Sequence, residues 1–181
     1  MKSLVEITNE AVQEIGNIEF DLTNYVINEE SRNYMFSTPY FKCLSAYCKV
    51  NDIKHVLELG TCTGASAIAM AQYAEKVSTF DVTLDDVDES LGVANINYKL
   101  LETPESCLEL DLDPYDLIFI DIDHSGSMEL RLHAKLVEEY KGIVFYDDIF
   151  FSPEMSSFWE SIDCEKESLM WHFTGFGIVR Y

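Results

Sequence analysis

The sequence predicts an α/β fold, a seven-stranded and mostly parallel sheet with helices on both faces and an antiparallel hairpin at its C-terminal end. Three observations predict it. The apolar run His55-Val56-Leu57-Glu58-Leu59 leads into a glycine-spaced loop, Gly60-Thr61-Cys62-Thr63-Gly64, and the small-residue helical segment Ala67-Ile68-Ala69-Met70-Ala71 follows. Beyond residue 50, strand-like runs keep alternating with helix-like segments, as in a parallel sheet covered on both faces. The last two β-like segments flank Gly175-Phe176-Gly177, as in a hairpin closing a sheet edge.

The elements follow in order. Residues 1–50 lack strands and carry two amphipathic stretches, Leu4 to Ile15 and Pro39 to Cys48, around a polar, aromatic segment from Asn28 to Thr38. They read as a helical cap or a lid over a core spanning residues 51–181, the whole forming one domain. Strands are expected at 54–59, 77–80, 95–101, 116–121, 142–147, 168–174 and 177–181. Helices are expected at 65–74 and 126–140, the second with Leu130, Ala134 and Val137 at helical spacing. Asp85 to Ala94 and Pro104 to Leu110 read as short helices or turns. Ser152-Pro153 starts a further helix with Met155, Phe158, Trp159 and Ile162 on one face.

Composition narrows the function. Twelve basic against thirty-three acidic residues give a formal charge of −21, with acidic clusters at 81–89 and 105–116. Polyanions should be repelled, so nucleic acid is not an expected partner. No apolar stretch approaches the ~20 residues of a membrane span, and the start of the chain lacks the apolar block of a secretory signal. A cytoplasmic protein without membrane association is expected. The five cysteines form no Cys-x-x-Cys pair and no cluster with the four histidines, so reduced, mostly buried thiols are expected.

The glycine loop carries the first chemical signal. Its glycines let the backbone turn tightly and approach a ligand. The spacing is Gly-x-x-x-Gly, with Glu58 ahead of the first glycine and no Lys-Ser/Thr pair behind the second. That argues against a phosphate-centred ligand and for S-adenosylmethionine, whose cationic amino-acid end suits a carboxylate. Asp81 ends the second strand about twenty residues on, where an acidic side chain can accept both ribose hydroxyls.

A second signal lies on later strands. Ligands of open parallel sheets bind beyond the carboxyl ends of the strands, so Asp121 and the pair Asp147-Asp148 should converge there. Three carboxylates together repel and are costly to desolvate, which makes a divalent cation a natural occupant. An all-oxygen set suits magnesium, calcium or manganese better than zinc. Asp123 caps the following helix. His55, His133 and His172 have no ligand partner at useful spacing and read as structural.

With these motifs in place, residues 35–181 resemble the class I S-adenosylmethionine-dependent methyltransferases, whose sheet is Rossmann-like, and among them the small-molecule O-methyltransferases. Val56 to Ser66 is similar to the family's first motif, and Ser37-Thr38-Pro39 to the segment before it. The resemblance implies that Gly60, Thr61, Thr63, Gly64 and Ser66 wrap the methionine part of the cofactor and that Glu58 supports its amino group. It places Glu105 and Ser106 near the adenine, although Pro104 stands where a glycine is usual. The strand-end pattern resembles metal-dependent enzymes of the catechol and sugar-modifying types. Asp121-x-x-His124 with Asp147-Asp148 is closer to the sugar-modifying type, which implies His124 as general base and a cation on Asp121, Asp147 and Asp148. A loop histidine without a base role is the alternative, and Ile122 departs from the usual glycine. The expected activity is methyl transfer to a hydroxyl of a small molecule such as a sugar or diol. A metal-independent N- or O-methyltransferase and a non-catalytic cofactor-binding protein stay open. The aromatic cap and edge hairpin leave room for a homodimer.

Overall fold

A computed structural model of the chain describes residues 2–87 and 95–181. Of the segment Asp85 to Ala94, residues 85–87 form a turn and 88–94 lie outside the described residues.

Residues 2–50 hold three α-helices and one 3-10 turn, Ile15–Asn17. In α1, Leu4–Glu14, the Ser3 hydroxyl accepts from the Glu6 N–H while the Glu6 carboxylate accepts from the Ser3 N–H, a reciprocal cap. The polar, aromatic segment from Asn28 to Thr38 contains α2, Glu29–Ser37, capped by Asn28, whose side chain accepts from the Ser31 N–H. Pro39 opens α3, Pro39–Val50.

The sheet comprises β1, His55–Leu59; β2, Lys76–Asp81; β3, Ile96–Leu100; β4, Leu117–Ile120; β5, Ile143–Tyr146; β6, Glu165–Leu169; and β7, Phe176–Arg180. Helices α4, Ala65–Ala71, α5, Ser127–Glu139, and α6, Pro153–Ser161, connect them, and Pro104–Glu109 is a 3-10 helix. The order is β3-β2-β1-β4-β5-β7-β6, parallel through β5 and antiparallel in its last two pairings. One expected strand is corrected. Only Ser168 and Leu169 of 168–174 are in β6, which starts earlier at Glu165, and residues 171–174 bend and turn into β7. Chain direction has to reverse before β7 can pair antiparallel with β5, and those residues make the reversal.

Alternation along the strands divides the core between the two faces. Val56, Val77, Leu117, Phe119 and Phe145 pack with α1, α3 and α4 on one face. Leu57, Phe80, Ile118, Ile120 and Val144 pack with α5 and α6 on the other. Among the described residues no helix is long and apolar enough to cross a membrane.

Strand order fixes where a ligand can enter. The connection from β1 runs to β2 on one side, whereas β4 pairs with β1 on the other, so the crevice at the carboxyl ends of β1 and β4 is a topological switch point. Gly60 and Asp121 are the first residues beyond those two strands.

Candidate active site

The loop after β1 is held by Asp81 at the end of β2. One Asp81 oxygen accepts from the backbone N–H of Thr61 at 2.8 Å and of Cys62 at 3.1 Å, and the other accepts from Val82 at 2.7 Å. Thr61 is pinned further by a 2.7 Å hydroxyl contact with Thr79. Gly60 and Gly64 have φ of +98° and +81°, a region that favours glycine, and Gly64 starts α4. The Gly64 N–H closes the loop on the Thr61 carbonyl at 2.8 Å.

Glu58 lies beneath this loop at 0% exposure, and neither carboxylate oxygen has a hydrogen-bond partner among the described residues. Burial pushes its pKa up to about 7, and the nearby Ser66 and Thr79 hydroxyls offset only part of that. A buried carboxylate without partners calls for a cationic or hydrogen-bond-donating group, and an ammonium beside the loop fits.

Two cavities meet here. One, of about 1000 Å³, is lined by Thr61, Thr63 and Ser66, by Asp121, Asp147 and Asp148, and by the aromatic side chains of Tyr34, Phe151 and Trp171. The other, of about 270 Å³, lies between Gly60, Phe80, Asp81, Pro104, Cys107, Asp121 and Met128. Its apolar lining of Phe80, Pro104, Cys107 and Met128 beside the Asp81 carboxylate suits a planar base attached to a sugar. Pro104 and Cys107 line it, whereas the expected neighbours turn elsewhere. Glu105 reaches Arg131 at 3.4 Å, and Ser106 caps the 3-10 helix through the Thr103 N–H.

The strand-end aspartates converge. His124 bridges two of them, its Nε2 lying 3.4 Å from Asp121 Oδ1 and 3.5 Å from Asp148 Oδ2. Burial first, and then the charges of Asp147 and Asp148, raise the Asp121 carboxyl well above its ordinary value. Asp121 thus resists ionising beside those two charges. His124 and Asp148 have φ of +54° and +55°, and Cys62 in the glycine loop has +45°, so three non-glycine residues of the aspartate cluster and the loop hold left-handed conformations. The His124 turn is braced by Glu129 of α5, a buried carboxylate accepting from the His124 N–H at 3.1 Å.

Sequence reasoning missed three participants. His172, read as structural, sits with its Nε2 2.5 Å from Asp147 Oδ1. Burial lowers its pKa, but the hydrogen bond to Asp147 and the charges of Asp147 and Asp148 more than reverse that, leaving it raised. Tyr40 of α3 donates to Asp147 Oδ2 at 3.0 Å, and burial together with the Asp147 charge holds its phenol protonated. Thr174 donates to Asp148 Oδ1. The available signal was strand order: once β7 is set beside β5, the turn before β7 must land against Asp147-Asp148.

No protein-family profile matches the chain. No curated protein matches its sequence either. Solved structures do match. A methyltransferase of Podospora anserina with bound S-adenosylhomocysteine (SAH) superposes at a TM-score of 0.64 and 13% identity, covering 100% of this chain and 97% of that one. An O-methyltransferase of Bacillus cereus in complex with SAH gives 0.59 at 15%, covering 97% and 91%. The O-methyltransferase TomG of Streptomyces achromogenes, in complex with S-adenosylmethionine and involved in tomaymycin synthesis, gives 0.59 at 15%, covering 99% of both chains. With its strand order, its terminal hairpin and a cleft at the switch point, the chain has the fold of the class I S-adenosylmethionine-dependent methyltransferases.

Proposed function

We propose that the protein is an S-adenosylmethionine-dependent methyltransferase acting on a hydroxyl of a small molecule, a sugar or a diol, with a divalent cation on Asp121, Asp147 and Asp148. The observation that carries this reading is the contiguity of the two halves of the cleft. Asp121 lines both the cavity beside the glycine loop and the cavity holding the other aspartates. A methyl donor and an acceptor hydroxyl can therefore meet at one residue.

S-adenosylmethionine, when bound, supplies a methyl group on a positively charged sulfur. In this reading Glu58 and the loop from Gly60 to Ser66 hold its amino-acid end, and Asp81, which lines the smaller cavity, takes the ribose. Asp121, Asp147 and Asp148 fit a cation because their donor set is anionic and crowded, and such an ion would lower the pKa of a chelating hydroxyl. His124, between Asp121 and Asp148, is placed to take the proton of that hydroxyl. The walls formed by Tyr34, Phe151 and Trp171 orient the acceptor for in-line displacement. The test is titration calorimetry of SAH onto the purified protein, in magnesium and then in EDTA, with candidate diols added in each condition. Cofactor binding with a diol signal present only in magnesium is the expected result. A diol signal indifferent to EDTA would remove the metal from the mechanism, and no SAH binding would remove the methyltransferase reading.

A further inference from the structure

We infer that His172 is a direct ligand of the cation, making this a mixed nitrogen-oxygen site that selects a first-row transition ion such as Mn2+ over Mg2+. The inference rests on the proposed cation at the aspartate cluster. His172 and Thr174, which carry it together with Asp147 and Asp148, lie in the turn between β6 and β7. One ligand atom from each of Asp147, Asp148 and His172 lies within 4.8 Å of the other two.

The hydrogen bonds dictate which His172 nitrogen turns to the carboxylates. Asp148 Oδ1 is an acceptor, so the Thr174 hydroxyl that contacts it must donate its proton there. The same hydroxyl oxygen, 2.9 Å from His172 Nδ1, is then left to accept, which puts a ring proton on Nδ1. Nε2 is therefore the ring nitrogen that faces the carboxylates, 2.5 Å from Asp147 Oδ1. Each prospective ligand also has an outer partner. Tyr40 holds Asp147 Oδ2, and Thr174 holds both Asp148 Oδ1 and His172 Nδ1, the kind of support that orients metal ligands. The turn itself is clamped to the loop after β5 by Ile149 N–H to Gly175 and Phe150 N–H to Thr174 carbonyls, at 3.2 and 2.8 Å. An imidazole in the set favours first-row transition ions over magnesium, which prefers oxygen alone.

The test is calorimetry with Mn2+ and Mg2+, together with electron spin echo envelope modulation on the Mn2+-loaded protein. Mn2+ should bind roughly tenfold or more tightly than Mg2+, and the spectrum should show nitrogen modulation. His172→Ala and His172→Asn should lose that modulation and the preference, while His124→Ala keeps both. The unmutated protein already decides the matter if a variant fails to fold. Bound Mn2+ without nitrogen modulation, or modulation lost only in His124→Ala, overturns the ligand assignment and leaves the aspartate site standing. Absence of Mn2+ binding overturns both, and SAH titration on the same sample shows separately whether the cofactor reading survives.

Discussion

A β-carbon added to Gly60 would lie 1.7 Å from the carbonyl oxygen of Asp121, which makes the start of the glycine loop and the end of β4 a single close-packed joint. The Asp121 N–H closes the same joint on the Leu59 carbonyl at 2.8 Å. Gly60→Ala cannot be accommodated without separating β1 from β4 at their carboxyl ends. It should cost about 2 kcal/mol or more in urea unfolding and abolish SAH binding measured by calorimetry. A variant of unchanged stability would mean that the two loops move independently.

Asp81 is the second brace on that loop. Asp81→Ala leaves the Thr61 and Cys62 N–H groups without their acceptor, which should cost about 1–3 kcal/mol of stability and weaken SAH at least tenfold. Unchanged SAH affinity would contradict the ribose assignment.

Asp147→Ala and Asp121→Ala separate the two halves of the cleft. Activity that depends on divalent cation should disappear in both, while SAH affinity stays within a fewfold of the parent. Loss of SAH binding in Asp147→Ala would instead put that residue in the cofactor pocket.

Glu58 links stability to pH. Its folded pKa, about 7, lies above that of an exposed carboxyl, so the native protein keeps a proton that the unfolded chain has already released. Its contribution is unpenalised below about pH 4.5, is eroded as pH rises toward 7, and is level above that, a loss of roughly 3 kcal/mol. Glu58→Gln should therefore grow more stable relative to the parent across that window in urea melts, while binding SAH more weakly. A constant difference across pH would show that Glu58 is ionised in the fold at all these values.

Glu129 reaches the chemistry through a backbone N–H. Glu129→Ala should release the His124 turn and lower kcat by about ten- to a hundredfold, with little change in SAH affinity. Glu129→Gln retains an acceptor and should restore most of the rate. Equal losses in both variants would reduce Glu129 to a general packing role.

What could be read in advance was whatever a local pattern records. Strand runs such as Val56-Leu57 and Ile118-Phe119 declare burial by their composition, and the glycine loop and the strand-end aspartates are contiguous in sequence. Contacts made by tertiary return were invisible. Tyr40 meets Asp147 across 107 residues and His172 meets it across 25, with no spacing rule to mark either. Helix α2 escaped because its residues, Glu-Glu-Ser-Arg-Asn-Tyr-Met-Phe-Ser, bury only Ser31 and Met35 and show no apolar stripe.

The insertion of β7 between β5 and β6 has a consequence for biosynthesis. Every other contributor to the aspartate cluster is made before His172 and Thr174, and these join it only when β7 has threaded between its two neighbours. A chain emerging in order from the ribosome can form the parallel strands and the glycine loop while the cluster is still open on one side. If the cleft takes a cofactor and a cation as proposed, the two competences should thus arise at separate moments in the life of the nascent chain, the first with the early strands and the second with the closing hairpin.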